Sequence, residues 1–242
     1  MMLAIKLAFK RLSTDSETKV AILTGSDPYY CAGVNFASLP LMHPQKLHDY
    51  ILKNNAAIFE TFIDFPKPLM IAANGPAIGA CVTSATLCDA IIASEKATFS
   101  TPFARLAVPP EGCSSVHFER IMGAENAQRM LGPEGWVPTA QEALKAGIVH
   151  QVVPHDNLMN SAQARAEQWI KEGHVRNFAN NINVEEYRAV NMRESKELAD
   201  AFLSVPFIDA QYKFLKSKGK TQASNTFWFL KVTRPLWSKL LK

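Results

Sequence analysis

Three short apolar runs separated by helical patterns constrain the fold of this 242-residue chain more than any other feature. Residues 19–25, 69–73 and 90–93 are continuously or almost continuously apolar over strand length, which is typical of strands buried on both faces of a parallel sheet. Residues 46–65, between the first two runs, carry apolar side chains at helical spacing and are followed by Pro66-Lys67-Pro68. Strands that alternate with helices predict an α/β fold.

The remaining pattern extends this alternation and then becomes entirely helical. We expect further helices over residues 3–12, 80–89, 125–131, 139–146 and 156–172, and short strands over 98–100 and 148–153. Residues 176–183 are polar and irregular, and only helices are predicted beyond them, over 184–203 and 206–216. The sequence therefore divides into an α/β core (1–175), a C-terminal helical region (176–220) and a basic-aromatic tail (221–242).

Composition and charge narrow the possible partners. The chain carries a net charge of +4, and its last thirty residues (213–242) contain basic but no acidic side chains. Such a tail suits a solvated surface, an anionic ligand or a membrane surface. Nucleic acid is not expected, because the sequence contains no helix-turn-helix pattern and no alternating basic and aromatic array. No apolar run is long enough to span a bilayer.

Cysteine and histidine spacing gives no sign of a metal site. The four cysteines are dispersed and form no CxxC pair, which favours a reducing compartment and buried thiols. The six histidines form none of the short ligand motifs typical of zinc sites. We therefore predict no bound metal.

A stiff corner at Pro109-Pro110-Glu111-Gly112 is the first candidate functional feature. Proline fixes φ and glycine allows positive φ, so the chain carries Glu111 through a sharp turn with little freedom. A helix is predicted to begin directly afterwards, with Ser114 or Ser115 as its N-cap. A single Glu at a corner is most often a surface carboxylate, so its function depends on what the fold places beside it.

Two loops could supply hydrogen-bond donors. Gly33-Val34 follows the first predicted strand and Gly79-Ala80 follows the second. Glycine permits close approach of a ligand to the backbone, and the N–H of Ala80 lies at a predicted helix start, where it has no helical acceptor. Two such donors that converge on one point would form an oxyanion hole. From its own spacing, each loop indicates only an ordinary turn.

Longer motifs resemble a known superfamily. LTG at 23–25 with CAGVNF at 31–36, KP at 67–68 with NGPAIGA at 74–80, and TAQEALKAGIV at 139–149 are similar to successive signatures of the crotonase (enoyl-CoA hydratase/isomerase) superfamily. The resemblance covers residues 3–215 in order. It implies a crotonase-like ββα spiral core with a C-terminal helical region through which such proteins form trimers, here residues 177–218.

Carried over residue by residue, the resemblance implies a site for an acyl-CoA thioester. The oxyanion would be held by the N–H groups of Val34 and Ala80. Hydratases of the superfamily use two glutamates, and the matching positions here hold Thr83 and Phe103, so hydration is not expected. No Asp matches the nucleophile of the dehalogenase members. The resemblance further implies that the substrate contacts Ala32, Gly33, Asn35, Gly79 and Phe103.

The segments ATFSTPF (97–103) and PEGCSS (110–115) are similar to the peroxisomal-type 3,2-trans-enoyl-CoA isomerases, which use one Glu as catalytic base. This implies that Glu111 moves a proton from C2 to C4 of a 3-enoyl thioester during fatty-acid β-oxidation. Coenzyme A is then part of the substrate, and no separate cofactor is needed. An apolar wall from Phe103, Leu106, Val108 and Phe36 would exclude water and raise the pKa of the base.

Both ends depart from the family pattern. Relatives carry a β-hairpin before the first helix, which this sequence lacks, and part of their CoA contacts lies there. The resemblance implies a peroxisome or a mitochondrion, although Ser238-Lys239-Leu240 is not C-terminal and should not act as a peroxisomal signal. The aromatic and basic residues of 227–239 could contact a membrane surface. Packing on the parent fold is favoured, because Pro235 is expected to interrupt any helix there.

Three functions stay open at this point. The first is an acyl-CoA double-bond isomerase with Glu111 as base. The second is a catalytically inactive module that binds acyl-CoA or a protein partner. The third is another CoA reaction such as thioester hydrolysis, which is disfavoured because no second acid/base residue is evident.

Overall fold

A computed structural model describes residues 2–34, 42–177 and 183–241. The described residues form ten α-helices and six strands. The helices are α1 (Met2–Thr14), α2 (Pro44–Ile63), α3 (Ala80–Thr86), α4 (Phe103–Leu106), α5 (Ser114–Leu131), α6 (Ala140–Ala146), α7 (Leu158–Glu172), α8 (Val184–Phe202), α9 (Val205–Ser217) and α10 (Thr221–Trp237). The strands are β1 (Ala21–Thr24), β2 (Leu69–Ala73), β3 (Ala77–Ile78), β4 (Ala90–Ser94), β5 (Phe99–Ser100) and β6 (Gln151–Val153).

The three predicted apolar strands lie side by side in one parallel sheet, as expected, with β1 at its edge. The order is β1-β2-β4-β6, with Ile71 paired to Leu23 on one side and to Ile91 on the other. All five residues of β2 and all five of β4 are buried, which explains why these runs have no polar alternation. A smaller parallel sheet pairs β3 with β5.

Helices cover both faces of the larger sheet. Ile71 and Ala73 of β2 point into a large core that includes Phe59 and Phe62 of α2, and Met70 and Ala72 pack against a second cluster that includes Trp169 of α7. The period of two along β2 therefore divides one apolar strand between two cores.

Several predicted elements differ at their ends or faces. In α1, Leu3 and Leu7 are 68% and 58% exposed, and Phe9 instead packs its ring against Phe62 at 5.0 Å. The helix expected through 89 ends at Thr86, and the strand expected over 148–153 contains only Gln151–Val153. The helix predicted to begin after the Glu111 corner and the helix expected over 125–131 form one element, α5, with a break at Gly123. Propensity places such boundaries poorly, because tertiary contacts decide them.

The expectation about Pro235 is wrong, because residues 221–237 form α10 with Pro235 inside it. Pro235 lies in the last turn of α10, so few helical residues follow the position that lacks a backbone donor. The helix packs on α9, as favoured from the sequence: Phe227 is buried with its ring 6.2 Å from that of Phe207, and Arg234 Nε donates to the Leu203 carbonyl at 3.0 Å. Trp228, Phe229 and Leu236 remain exposed on the outer face.

Across the described part of the chain, no helix combines the length and apolar character that crossing a membrane would require. The division of the chain at 175 and 220 stays a prediction.

Candidate active site

The Glu111 corner is a tight, internally bonded turn between α4 and α5. Ala107 closes α4 in the left-handed region at φ 54°, and the Val108 N–H donates to the Phe103 carbonyl at 3.0 Å. After the two prolines, Gly112 and Cys113 both have positive φ, at 66° and 65°. A cysteine with positive φ is strained, so the surrounding contacts must hold this turn in place.

Gly112 is required by space as well as by φ. A Cβ atom at this position would lie 2.6 Å from Thr83 Oγ1 and 2.8 Å from Phe59 Cδ1. Real Cβ atoms do not approach other atoms so closely, so the backbone of the corner is packed directly against α2 and α3. The sequence predicted a glycine turn here, and the structure adds the close approach.

The Glu111 side chain is buried, with 8% exposure, and accepts no hydrogen bond from any residue that the structure describes. Burial, together with the nearby carboxylate of Glu194, raises the pKa of Glu111 from 4.5 to about 8. A carboxyl group with a pKa near the working pH is suited to both accept and return a proton.

Glu194 of α8 was not identified from the sequence. Its side chain is fully buried, and its two oxygens accept the backbone N–H groups of Cys113, at 2.6 Å, and Ser115, at 3.0 Å. The expected caps Ser114 and Ser115 were wrong: Cys113 is the N-cap, without a side-chain cap of its own, and the Ser114 hydroxyl donates to the Glu111 carbonyl at 2.7 Å. A carboxylate 81 residues away in sequence thus satisfies the N-terminus of α5.

A buried pair fixes α5 behind the corner. His117 bonds through Nδ1 to the Tyr187 hydroxyl at 2.7 Å and through Nε2 to the Thr86 carbonyl at 2.9 Å. Burial lowers the pKa of His117 to about 4, so the imidazole is neutral near pH 7. It donates from Nε2 and accepts at Nδ1, which ties α5 to both α3 and α8.

The two glycine loops meet beside β3. The Ile78 N–H donates to the Cys31 carbonyl at 3.0 Å, and Cys31 forms an isolated bridge with Ala77. Gly33 has φ 88°, and a Cβ atom there would lie 3.0 Å from the Ile78 carbonyl oxygen. The fold therefore brings the loop after β1 against the residue that directly precedes Gly79.

Both predicted donors are available. Among the described residues, no acceptor is found for the N–H of Val34 or for that of Ala80, the first residue of α3. Gly79, at φ 74°, donates its own N–H to the Ser100 carbonyl at 2.7 Å, and a Cβ atom at this position would have nothing within 4 Å. Space next to Gly79 and two unused N–H groups are what a ligand carbonyl needs.

Thr83 connects the donor side with the corner. Its hydroxyl donates to the Ala80 carbonyl at 3.1 Å, and the same oxygen lies against Gly112. Helix α3 thus carries Ala80 at its start and contacts the Glu111 corner one turn later. The Ala80 donor and the Glu111 corner, which the sequence suggested separately, are therefore connected through α3.

The other predicted residues are distributed as follows. Phe103 is buried, with 3% exposure, at the start of α4, while Ala32 and Val34 lie exposed on the loop after β1. Asn35, predicted to contact substrate, and Phe36, predicted to form part of the apolar wall, fall outside the described residues. Leu106 is partly buried. Val108 packs against the cluster of apolar side chains that includes Phe207 and Phe227.

Glu194 left one signal in the sequence. It lies on the buried face of a predicted helix, at the spacing set by Tyr187, Val190 and Leu198. A charged residue at an apolar position indicates a partner, but the sequence does not identify which one. No cluster of three or more His, Cys, Asp or Glu side chains that could hold a metal is found in the described ranges.

Comparison with known proteins is consistent with this arrangement. The profile of the family described as Enoyl-CoA hydratase/isomerase matches residues 1–211. The human "Enoyl-CoA delta isomerase 2" is 36% identical over 228 residues, covering 89% of this chain and 56% of that protein. The mouse "Enoyl-CoA delta isomerase 3, peroxisomal" is 37% identical over 174 residues, covering 71% of this chain and 54% of the mouse protein. The chain thus spans about half the length of these curated relatives.

Solved structures give the same fold. An enoyl-CoA hydratase/isomerase from Pseudoalteromonas atlantica T6c superposes with a TM-score of 0.74 at 25% identity, covering 89% of this chain and 86% of that one. An enoyl-CoA hydratase from Mycobacterium avium subsp. paratuberculosis K-10 gives a TM-score of 0.75 at 23% identity, with coverage of 89% and 85%. The predicted crotonase-like fold, with its helical C-terminal region, is confirmed. The chain is a member of the enoyl-CoA hydratase/isomerase (crotonase) family.

Proposed function

We propose that this protein is a 3,2-trans-enoyl-CoA isomerase that converts 3-enoyl-CoA thioesters into trans-2-enoyl-CoA. The observation that carries the proposal is the buried carboxyl group of Glu111, whose pKa is raised to about 8 and whose neighbour Gly112 packs against α3, the helix that begins with Ala80. The relatives named enoyl-CoA delta isomerase support the same reaction. Fatty-acid β-oxidation would supply such substrates.

The reaction needs one base and one site for negative charge. Ionised Glu111 removes a proton from C2 of the 3-enoyl thioester. The C2–H electrons form a C1–C2 double bond and the carbonyl π electrons move onto the thioester oxygen, which gives a dienolate conjugated with the C3–C4 double bond. The N–H groups of Val34 and Ala80 stabilise this dienolate oxygen. Protonated Glu111 then returns the proton to C4, the C2–C3 double bond forms, and Glu111 is again ionised. No net proton is consumed.

The residues at the hydratase positions support isomerisation over hydration. Thr83 is fully buried with its hydroxyl bonded to the Ala80 carbonyl, and Phe103 is an apolar residue of the core. Neither side chain can activate a water molecule as a carboxylate does. One carboxyl group is enough to shuttle one proton.

Incubation of the purified chain with 3-hexenoyl-CoA tests the proposal. We expect the conjugated 2-enoyl thioester to appear, followed by its ultraviolet absorbance, and no 3-hydroxyacyl product from 2-enoyl-CoA. Folded protein that forms no conjugated product would contradict the isomerase function. A hydration product would contradict the roles given to Thr83 and Phe103.

A second candidate is a module that binds acyl-CoA or a protein without turnover. Not every relative is named as an isomerase: the human "Chromodomain Y-like protein" is 30% identical over 221 residues, covering 84% of this chain and 35% of that protein. Measured binding of CoA with no turnover of several enoyl chain lengths would support this candidate over the first.

Assembly and location follow from the same resemblance. We infer a homotrimer formed through the helices of residues 177–218, which size measurement by light scattering would test. The relative named as peroxisomal supports a peroxisome, with a mitochondrion as the alternative. Imaging of a tagged chain with its natural ends tests both.

A further inference from the structure

Glu194 is a fully buried carboxylate that touches the corner of Glu111 and is not used by the proposed reaction. Its side chain comes from α8, and it reaches the first turn of α5 across a sequence separation of 79 to 81 residues. A buried charge is costly unless it is hydrogen-bonded, so this position is occupied for a reason beyond packing.

We propose that Glu194 is a positioning residue that holds the strained Gly112-Cys113 turn in place and keeps a permanent negative charge next to the Glu111 carboxyl group. The proposal rests on the proposed isomerase function, because it assigns Glu194 a role in tuning the base of that reaction.

The geometry supports the first part of the role. Cys113 has a φ of 65°, which costs energy for a residue with a side chain, and its N–H donates to Glu194 Oε2 at 2.6 Å. The second oxygen accepts the Ser115 N–H at 3.0 Å. A hydrogen bond to a charged acceptor stabilises more than a neutral one, so the carboxylate offsets the strain of the turn that orients Glu111.

The surroundings also determine which of the two carboxyl groups carries the charge. Glu194 accepts two backbone donors at a helix N-terminus, and Arg193 beside it binds the Ser115 hydroxyl at 2.9 Å. Glu111 accepts no hydrogen bond from the described residues, and Phe59 and Thr83, which lie against the adjacent Gly112, are uncharged. Burial raises the pKa of Glu194 as well, but the donors oppose that shift, so Glu194 ionises first and Glu111 second.

Substitution of Glu194 should therefore change the pH dependence of activity, which substitution of a purely structural residue would not do. In Glu194→Gln the neighbouring charge is removed, so the pKa of Glu111 should fall from its value near 8. At pH 6 a larger fraction of Glu111 is then ionised than in the wild type, whereas above pH 8 the base is ionised in both proteins but weaker in the variant. The ratio of variant to wild-type kcat/KM should therefore fall as the pH rises.

Glu197→Gln is the matched control. Glu197 lies three residues further along α8, its side chain is 53% exposed, and it pairs with Arg193 at 3.8 Å on the surface. Loss of the same charge at this exposed position should leave the pH profile unchanged, because solvent screens it. Glu194→Asp keeps the charge with a shorter reach, and it should retain the wild-type pH dependence even if the turn is held less well.

The decisive measurement does not require activity. Carbon-13 NMR of side-chain-labelled glutamate follows both buried carboxyl groups in the wild-type protein, with the Glu111 signal assigned by its loss in Glu111→Gln. We expect Glu194 to be ionised throughout the range in which Glu111 titrates, and the Glu111 midpoint to shift down in Glu194→Gln. If Glu194 is still neutral at pH 8 in the wild type, or if the Glu111 midpoint is the same in a folded Glu194→Gln, the proposal is wrong.

These outcomes are separable from the proposed function. A protein with no isomerase activity but with the expected titration contradicts the reaction and leaves the role of Glu194 in place. An active isomerase with unchanged titration in Glu194→Gln contradicts the role of Glu194 alone. Should Glu194→Gln fail to fold, the wild-type titration still decides between ionised and neutral Glu194.

Discussion

Gly79 and Gly112 both have positive φ but opposite surroundings. Their φ angles are 74° and 66°, both outside the range that other residues adopt easily. A Cβ atom on Gly79 would meet nothing within 4 Å, whereas one on Gly112 would overlap Thr83 and Phe59. The donor side is thus open toward a ligand, and the corner that carries the base is closed against the protein interior.

This difference matches the chemical role proposed for each side. Backbone donors must meet a substrate oxygen, so the space next to Gly79 has to stay free until the substrate arrives. A base with a raised pKa must be held away from water and in one orientation, so the corner is packed and bonded from inside. Substitutions on the open donor side and at the closed corner test this difference, from the largest expected effect to the smallest.

Glu111→Gln should have the largest effect. It removes the only proposed proton carrier at unchanged shape, so we expect kcat for 3-hexenoyl-CoA to fall by about 10²- to 10⁴-fold. CoA binding, measured by calorimetry, should change little. Activity that survives in the variant would contradict the role of Glu111 but not the reaction itself.

Ala80→Pro tests the open side. Ala80 is the first residue of α3, where proline is tolerated because the N–H has no helical partner. The substitution removes the proposed donor alone, so we expect a loss of about 10²- to 10³-fold in kcat. Circular dichroism and thermal unfolding provide the control for folding. A folded variant with normal kcat would show that this N–H does not contact the oxyanion.

The pH dependence follows from the raised pKa of Glu111. Because the ionised form is the base, kcat/KM should rise about tenfold per pH unit and level off above about 8. The stability should change in the opposite direction: the folded protein retains a proton that the unfolded chain releases near 4.5, so stability is lost as the pH rises toward 8. Urea unfolding should show a smaller loss over this range for Glu111→Gln. A flat activity profile between pH 6 and 9 would contradict the raised pKa.

Alanine at the two glycines should separate strain from crowding. Gly79→Ala introduces only the cost of a backbone conformation (φ 74°, ψ −132°) that residues other than glycine rarely adopt, about 1–3 kcal/mol. Gly112→Ala adds overlap with Thr83 and Phe59, which should cost about 1–3 kcal/mol more. Urea unfolding at pH 6 measures both. Equal losses in the two variants would mean that the corner is less tightly packed than the structure indicates.

Much of the α/β core could be predicted because its elements are defined by local pattern. The runs at 69–73 and 90–93 became β2 and β4 because a strand buried on both faces must be apolar throughout. The corner at Gly112 was predicted because proline and glycine restrict φ in ways that do not depend on neighbours. Helix α10 was missed because Pro235 suggested a break, whereas its contacts with α9 keep the segment helical.

The sequence by itself determined the α/β layering, the two glycine loops and the restricted corner at Glu111, since each depends on the conformational preferences of a few adjacent residues. Only the tertiary structure decided what surrounds them. Burial raises the pKa of Glu111, Thr83 joins the corner to the donor helix, and Glu194 reaches α5 from 81 residues away. Desolvation and charge interactions act through space, so no local pattern in the chain records them.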